Sequence, residues 1–256
     1  MDRLLEATAR AEQQHFWWRG FRAFVRPALE RAAAGRRVRI LDCGCGTGAN
    51  LPLLRQFGTA TGIDLTWSGL SFARARGERR VAQARADALP FADGTFDLVT
   101  SFDMLQCLPD PVERAALAEM RRVLGPGGHL VVNVAALDLL WGNHSILARE
   151  VRRYTKQQLS DRLEAAGFAP LRVTYTNAVL FPILAPLRLA QRAMGLATSD
   201  LDEKAQQEVG IPPAPVNAAL TALLRLESAA LRLVNMPVGS SLLGIATVGS
   251  GLERPV

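Results

Sequence analysis

The sequence predicts an α/β protein built on a doubly wound, mainly parallel sheet, and three observations predict it. Short β-rich runs alternate with helical stretches from residue 36 onward. A glycine-rich turn, Gly44, Gly46 and Gly48, joins the first run to the helix after it. The 256 residues, 49% hydrophobic and 21% charged with no low-complexity tract, suit one large domain and exclude disordered or fibrous architecture.

Residues 1–34 read as helical, with an aromatic knot at HFWWRGF. Val38–Cys43 (VRILDC) is a buried strand, and TATGID from Thr59 to Asp64 is the second. A helix follows from Trp67 to Gly77, then a short, weak strand from Arg80 to Ala84. FDLVTSF, Phe96 to Phe102, is a strand, and the helix from Pro111 to Leu124 has proline at its start and Gly125 as its stop. HLVVNV from His129 to Val134 is the next strand, and Thr155 to Ala166 a helix ending at Gly167. The last two strands are expected at Ala169 to Asn177 and Leu242 to Val248, separated by about sixty mostly helical residues that Pro212, Pro213 and Pro215 interrupt.

Charge and cysteine content narrow the function classes. Thirty basic against 24 acidic residues give +6, but the arginines are dispersed, with small clusters at Arg74–Arg85 and Arg149–Arg153. A nucleic-acid binder would gather them into a stripe with interleaved aromatics, so a solvated basic surface is the better reading. Three cysteines, an odd number, argue against a disulfide framework and for a reducing cytoplasm. The start, MDRLLEATAR, lacks an apolar run and does not read as a signal peptide, and Leu233–Gly251 is too rich in Gly and Ser for a bilayer helix.

Glycine at 44 and 46 lets the backbone turn tightly and approach a ligand. With Ala49, and with Asp64 twenty residues after the first glycine, this spacing also satisfies a dinucleotide fingerprint. Asp42 argues otherwise: a carboxylate two residues before the first glycine repels a pyrophosphate but suits a ligand carrying an ammonium and a sulfonium. Cys43 and Cys45 have a CxC spacing, but no His or further Cys lies near in sequence to complete a metal site.

ILDCGCGTGAN resembles motif I of the class I S-adenosylmethionine (SAM) methyltransferases. GID ending at Asp64, RADALPF with Asp87, FDLVTSFDMLQCLPDP and LGPGGHLVV follow in that family's order, covering residues 36–177. HFWWRGFR and WGNHSILAREVRRYT resemble a bacterial subgroup of the type 11/12 methyltransferase domains.

The resemblance implies a Rossmann-like seven-stranded sheet of order 3-2-1-4-5-7-6 with the last strand antiparallel. It implies one domain: a helical cap at 1–35, a SAM-binding core at 36–177 plus 239–250, and a helical insertion or lid at 178–238. Gly44 and Gly46 would face the methionine moiety, with Cys45 and Asn50 in the same turn and Asp42 near the amino group. Asp64 would accept from both ribose hydroxyls, Leu65 would flank the adenine, and Asp87 would accept from its amino group beside Ala88. Ser101 and Phe102 would lie beneath the sulfonium. From the cap, Trp18 is expected on the cofactor and Arg19 at its carboxylate; adjacent helical side chains diverge by about 100°, so at most one of Trp17 and Trp18 could stack there. The product is S-adenosylhomocysteine.

Methyl transfer from a sulfonium is an in-line displacement, so positioning dominates and a general base is needed only for a protonated nucleophile. His144 is the favoured base, with Asp103 and Tyr154 as further catalytic candidates on the acceptor side. Gln106 and Cys107 stand where relatives often have Glu-His. The Asn/Asp-Pro-Pro-aromatic tetrad of nucleic-acid amino methyltransferases is absent, with Ser101-Phe102-Asp103-Met104 in its place. The acceptor is therefore expected to be a small molecule, methylated on O or N, and not nucleic acid. The insertion is apolar, with Leu220, Leu223, Leu224, Leu231 and Val234 expected on one broad face, either covering the sheet or lining a hydrophobic acceptor pocket. Two rivals stay open: a methyltransferase-fold protein that binds SAM as a scaffold or partner subunit without transfer, and a nicotinamide oxidoreductase. A homodimer and a peripheral membrane contact stay open as well.

Overall fold

The computed structural model describes residues 2–195 and 209–249, so part of the expected insertion, 196–208, and the ends of the expected cap and core, Met1 and Ser250, lie outside the described residues. Seven strands form one sheet: β1 (Val38–Cys43), β2 (Gly58–Asp64), β3 (Val81–Gln83), β4 (Phe96–Phe102), β5 (Leu124–Ala135), β6 (Phe168–Thr176) and β7 (Ser241–Val248). Their order is β3-β2-β1-β4-β5-β7-β6, and β7 is antiparallel to both neighbours. The order reverses between β1 and β4, and a crevice outside the carboxyl ends of those strands is where a doubly wound sheet binds its ligand.

Helices cover both faces. On one side α2 (Phe16–Ala33) lies against the sheet through Val25, Ala28, Leu29 and Ala32, spaced as one helical stripe and all buried. It shares that layer with the short α3 (Leu51–Leu54) and α4 (Trp67–Ala75). On the other side, Leu117 and Met120 of α5 (Asp110–Val123) and Leu159 and Leu163 of α7 (Lys156–Ala165) join the core. Thr155 Oγ1 accepts from Gln158 N and caps α7, and Thr155 N donates to Gln158 Oε1 in return, a reciprocal capping box.

Three short helical elements face the carboxyl end of the sheet: α1 (Asp2–Ala11), α6 (Asn143–Leu147), and α8 (Phe181–Ala193), which stands at the start of the insertion. The insertion's second helix, α9 (Ala214–Ala230), packs on α2. Gly20 makes that approach possible, because a Cβ there would lie 2.3 Å from Leu224 Cδ1.

Two expectations about local structure fail. The helix α5 does not stop on glycine: Leu124 is already extended and pairs with Phe96, so β5 begins at once and runs through Gly125–Gly128 with an irregular register. The broad apolar face of α9 is narrower than the leucine spacing suggests. Leu224 and Leu231 are buried, but Leu223 and Val234 are exposed, and Asn217, Thr221, Glu227 and Ser228 fill the rest of the buried side. These polar groups bind backbone. Asn217 accepts from Phe16 N and donates to Gln14 O, Ser228 donates to Ala23 O, and Glu227 accepts from Ala178 N and Val179 N.

Candidate active site

Beyond the carboxyl ends of β1 and β4 lies one cavity of about 1310 Å³, and it gathers most of the residues the sequence singled out. The glycine turn forms its floor. Gly44, Gly46 and Gly48 all adopt left-handed backbone, with φ of +80°, +51° and +73°. The amides of Gly44 and Cys45 donate to Ile63 O, Gly48 N to Cys45 O, and Gly46 N to Asp64 Oδ2 at 2.8 Å. Asp64 Oδ1 also accepts from Thr66 N (2.8 Å) and Thr66 Oγ1 (2.5 Å). Three of the roughly four acceptor positions of a carboxylate are thus filled by the chain itself, leaving room for one ligand hydroxyl rather than the two expected.

The remaining cofactor candidates separate into those the cavity exposes and those it does not. Cys45, Asn50, Leu65, Asp87 and Phe102 line it, together with Trp17 and Trp18 from the cap. Leu65 is 63% exposed, an unpartnered apolar side chain beside Asp64 that a flat base would cover. Asp87 sits at the rim with both carboxylate oxygens held by Arg85, which keeps its pKa below the usual carboxylate range. Asp42 is buried behind the turn instead of facing the cavity. Thr100 Oγ1 donates to it at 2.7 Å, yet burial pushes its pKa up to about 7, with the charge of Asp64 adding to the rise. Ser101 is likewise buried in β4, Ala88 lies outside the lining, and Arg19 is exposed on α2 away from it.

These residues fit the cofactor that the family resemblance implies. Where a Cβ at Gly46 would stand there is open space, and Asn50 Oδ1 is buried without a hydrogen-bond partner. Asp64 and Leu65 stand side by side for a ribose and a base. The turn offers carboxylates and engaged amides, which suits a cationic sulfonium ligand better than a pyrophosphate.

A residue the sequence reading missed ties the cap to this floor. Glu12 is buried at the cavity wall and accepts from Thr47 Oγ1 and from Arg76, which also donates to Thr47 O and Ala9 O. His15 caps α2, its Nδ1 accepting from Trp17 N at 3.1 Å. Burial pushes its pKa down, against a hydrogen bond to the Gly210 backbone, and so favours the neutral ring that this acceptor role needs.

The acceptor side is built differently. Asp103 follows β4 with φ of +58°, a conformation few non-glycine residues adopt. Its N–H donates to Asn133 O, and its Oδ1 accepts from Asn133 Nδ2 at 2.8 Å and Gln106 Nε2 at 3.4 Å. Its side chain is open to the cavity but lies deep in the protein, and desolvation pushes its carboxyl up to about 6. Oδ2 makes no hydrogen bond with the described residues.

His144 on α6 lines the same cavity, as do Gln106, Glu150 and Arg153. Glu150 and Arg153 form a buried ion pair, Nε to Oε2 at 2.9 Å, with Arg153 also donating to Ser145 Oγ and Ala136 O. Desolvation raises the Cys107 thiol to about 12, so it is no nucleophile at neutral pH. Tyr154, expected at the acceptor, is in the core: its hydroxyl donates to buried Glu113 at 2.8 Å, which Arg152 and Arg162 also bind.

The comparisons with known proteins agree with this geometry. Residues 41–132 match a model described as a methyltransferase domain. That stretch of the chain, from β1 to β5, is therefore similar to a methyltransferase domain. The chain is 36% identical over 135 residues to the protein named probable phthiotriol/phenolphthiotriol dimycocerosates methyltransferase 2 of Mycobacterium ulcerans, covering 50% of this chain and 49% of that one. It is 37% identical over 104 residues to a phosphatidylethanolamine N-methyltransferase of Cereibacter sphaeroides, covering 38% and 50%. The chain thus spans about half the length of these relatives. Among solved structures it superposes on the [4+2]-cyclase SpnF with a TM-score of 0.55 and 22% identity, covering 90% of this chain and 82% of that one. That likeness is one of fold, and a fold shared with a cyclase leaves the chemistry to the site residues.

Proposed function

We propose that the protein transfers a methyl group from SAM to an oxygen or nitrogen of a small, largely apolar molecule. The observation that carries this reading is the joining, in one cavity, of the Gly44–Asp64 floor and Asp103 with its open Oδ2. When bound, SAM supplies an electrophilic methyl group and leaves as S-adenosylhomocysteine. Gly44, Gly46, Asn50, Asp64, Leu65 and Trp18 would hold it, with Asp42 buried behind the turn, out of contact. Asp103 takes the proton of the acceptor's hydroxyl or amine at Oδ2 as the nucleophile forms its new bond to carbon. His144 orients the acceptor or shares that role.

The two curated relatives named above carry lipid names, which supports an apolar acceptor. Among the described residues no helix is long and apolar enough to cross a membrane, and the reading places the enzyme in the cytoplasm. The division into a cap at 1–35, a core at 36–177 plus 239–250 and an insertion at 178–238 belongs to the same proposal.

The test is turnover of methyl-labelled SAM with an extract of small molecules. Wild type should label a product extractable into organic solvent, and Asp103→Asn should label it 10²–10⁴-fold more slowly, the usual contribution of a general base. A carboxyl at about 6 must be ionised to accept the proton, so the wild-type rate should rise with pH through about 6 and then level. Tight S-adenosylhomocysteine binding with no labelled product would favour a scaffold that binds SAM without transfer.

A further inference from the structure

The cavity exceeds the roughly 300–1,000 Å³ typical of a pocket for one small ligand, so it has room for an acceptor of some length beside the cofactor. Its acceptor half has two unlike walls. On the polar wall, Glu150 and Arg153 satisfy each other, leaving Asp103 as the carboxylate with an unengaged oxygen. Asp103 is also fixed in place, with Asn133 holding both its main chain and its Oδ1. An ionised carboxylate only accepts hydrogen bonds, so the group that meets Oδ2 must bring a donor.

The opposite wall is α8, and none of its thirteen residues is buried. Ile183, Leu184 and Leu187 recur at the spacing of one helical stripe and line the cavity, Ile183 64% and Leu187 49% exposed, with buried Leu180 at the foot of the helix below them and Arg188 and Gln191 lining the cavity from its far end. Each apolar Å² left to water forgoes roughly 25 cal/mol, so this stripe favours an apolar occupant. From Leu180, buried at its foot, to exposed Leu187 this apolar wall runs about 10 Å at 1.5 Å per residue, long enough to guide a linear chain.

We infer that the acceptor is an amphiphile: a head bearing a hydroxyl or amine sits at Asp103, and a linear apolar chain lies along the inner stripe of α8. The inference rests on the methyl-transfer reading for the role of Asp103, and it adds the chain and the place where the chain lies. A polar metabolite without a chain, or an acid whose carboxylate would meet Asp103, does not fit these walls.

Calorimetry on the full chain saturated with S-adenosylhomocysteine tests it at pH 8, using n-decanol below its solubility limit and n-decylamine and decanoate below their critical micelle concentrations. Decanol or decylamine should bind at least tenfold more tightly than butanol or butylamine, and decanoate at least tenfold more weakly than the better of the two. The better of the two identifies the head as hydroxyl or amine. In the double variant Ile183→Asp, Leu187→Asp the chain-dependent gain should disappear while S-adenosylhomocysteine affinity stays the same. Both positions are exposed, so the variant should melt at the wild-type temperature; should it not, Ile183→Ser, Leu187→Ser serves in its place. The inference is overturned if neither ten-carbon probe binds, if decanoate binds as well as either, or if the variant retains the chain-dependent gain. Failure to bind S-adenosylhomocysteine in the first place would strike the methyl-transfer reading instead.

Discussion

The two halves of the cavity solve the same problem, placing a ligand at the carboxyl ends of parallel strands, with opposite means. In the cofactor half the left-handed backbone falls on Gly44, Gly46 and Gly48, and the turn's amides are engaged by Ile63, Cys45 and Asp64. In the acceptor half it falls on Asp103 and Arg149, residues for which such backbone costs of order 1–3 kcal/mol each. Buried polar atoms without partners line both halves, Asn50 Oδ1 in the first and Gln106 Oε1 and Ser240 Oγ in the second, and α8 buries nothing. The cofactor half places its left-handed backbone on glycine, where it costs little, and keeps only Asn50 Oδ1 and one position on Asp64 open. The acceptor half carries strain and unmet hydrogen bonds of the kind found at functional sites.

The largest effect that could break this contrast is on the reaction itself. Asp103→Asn should cost 10²–10⁴-fold in kcat with little change in S-adenosylhomocysteine affinity, and should abolish the rise in rate through pH about 6. If instead His144→Ala removes that pH limb and Asp103→Asn leaves it, the base is His144. Next comes the cofactor floor: Asp64→Ala removes the acceptor of Gly46 N and of Thr66 and should weaken S-adenosylhomocysteine binding by about 1.5–3 kcal/mol, measured by calorimetry.

A third prediction sharpens the boundary between the halves. Gly20→Ala drives a Cβ against Leu224 and should destabilise the cap–insertion contact by about 1–3 kcal/mol, read as a lowered melting temperature, without touching the glycine turn. Deleting residues 1–30 would be a poor test of the cap, because Val25, Ala28 and Leu29 belong to the core of the sheet. Glu12→Gln, which keeps the shape and removes the charge that Arg76 meets, isolates the cap's link to the turn and should weaken cofactor binding only a few-fold.

The smallest effect concerns Asp42. Its pKa is raised in the folded state, so the stability its burial contributes is present below the unfolded value near 4 and is lost as pH rises through about 7. Wild type should therefore lose stability relative to Asp42→Asn across that interval. A difference that does not vary with pH would place the native pKa of Asp42 near its ordinary value.

The same contrast explains what the sequence revealed. Strands β1, β2 and β4, the glycine turn and Asp64 are short-range features, each readable from a window of a few residues, and the sheet order expected from the family resemblance is the one observed. What stayed hidden depends on partners far along the chain. Glu12 meets Thr47 and Arg76 across 35 and 64 residues, and nothing in an amphipathic helix marks it. Tyr154 followed two arginines and invited a role at the pocket, whereas Glu113, 41 residues earlier, draws it into the core. Glu150 and Arg153 read as part of a solvated basic cluster, and only the fold shows them buried together at the cavity wall. Asn133 sat unnoticed inside an apolar strand, although it holds Asp103.

The central claim is that the glycine turn and Asp64 form a ready-made site for a sulfonium nucleoside, and one titration tests it most directly. Calorimetry of the ligand-free wild type with S-adenosylhomocysteine and, separately, with NAD should show one-to-one binding of the first and none of the second. Tight NAD binding, or no binding of S-adenosylhomocysteine by a folded wild-type protein, would contradict the account.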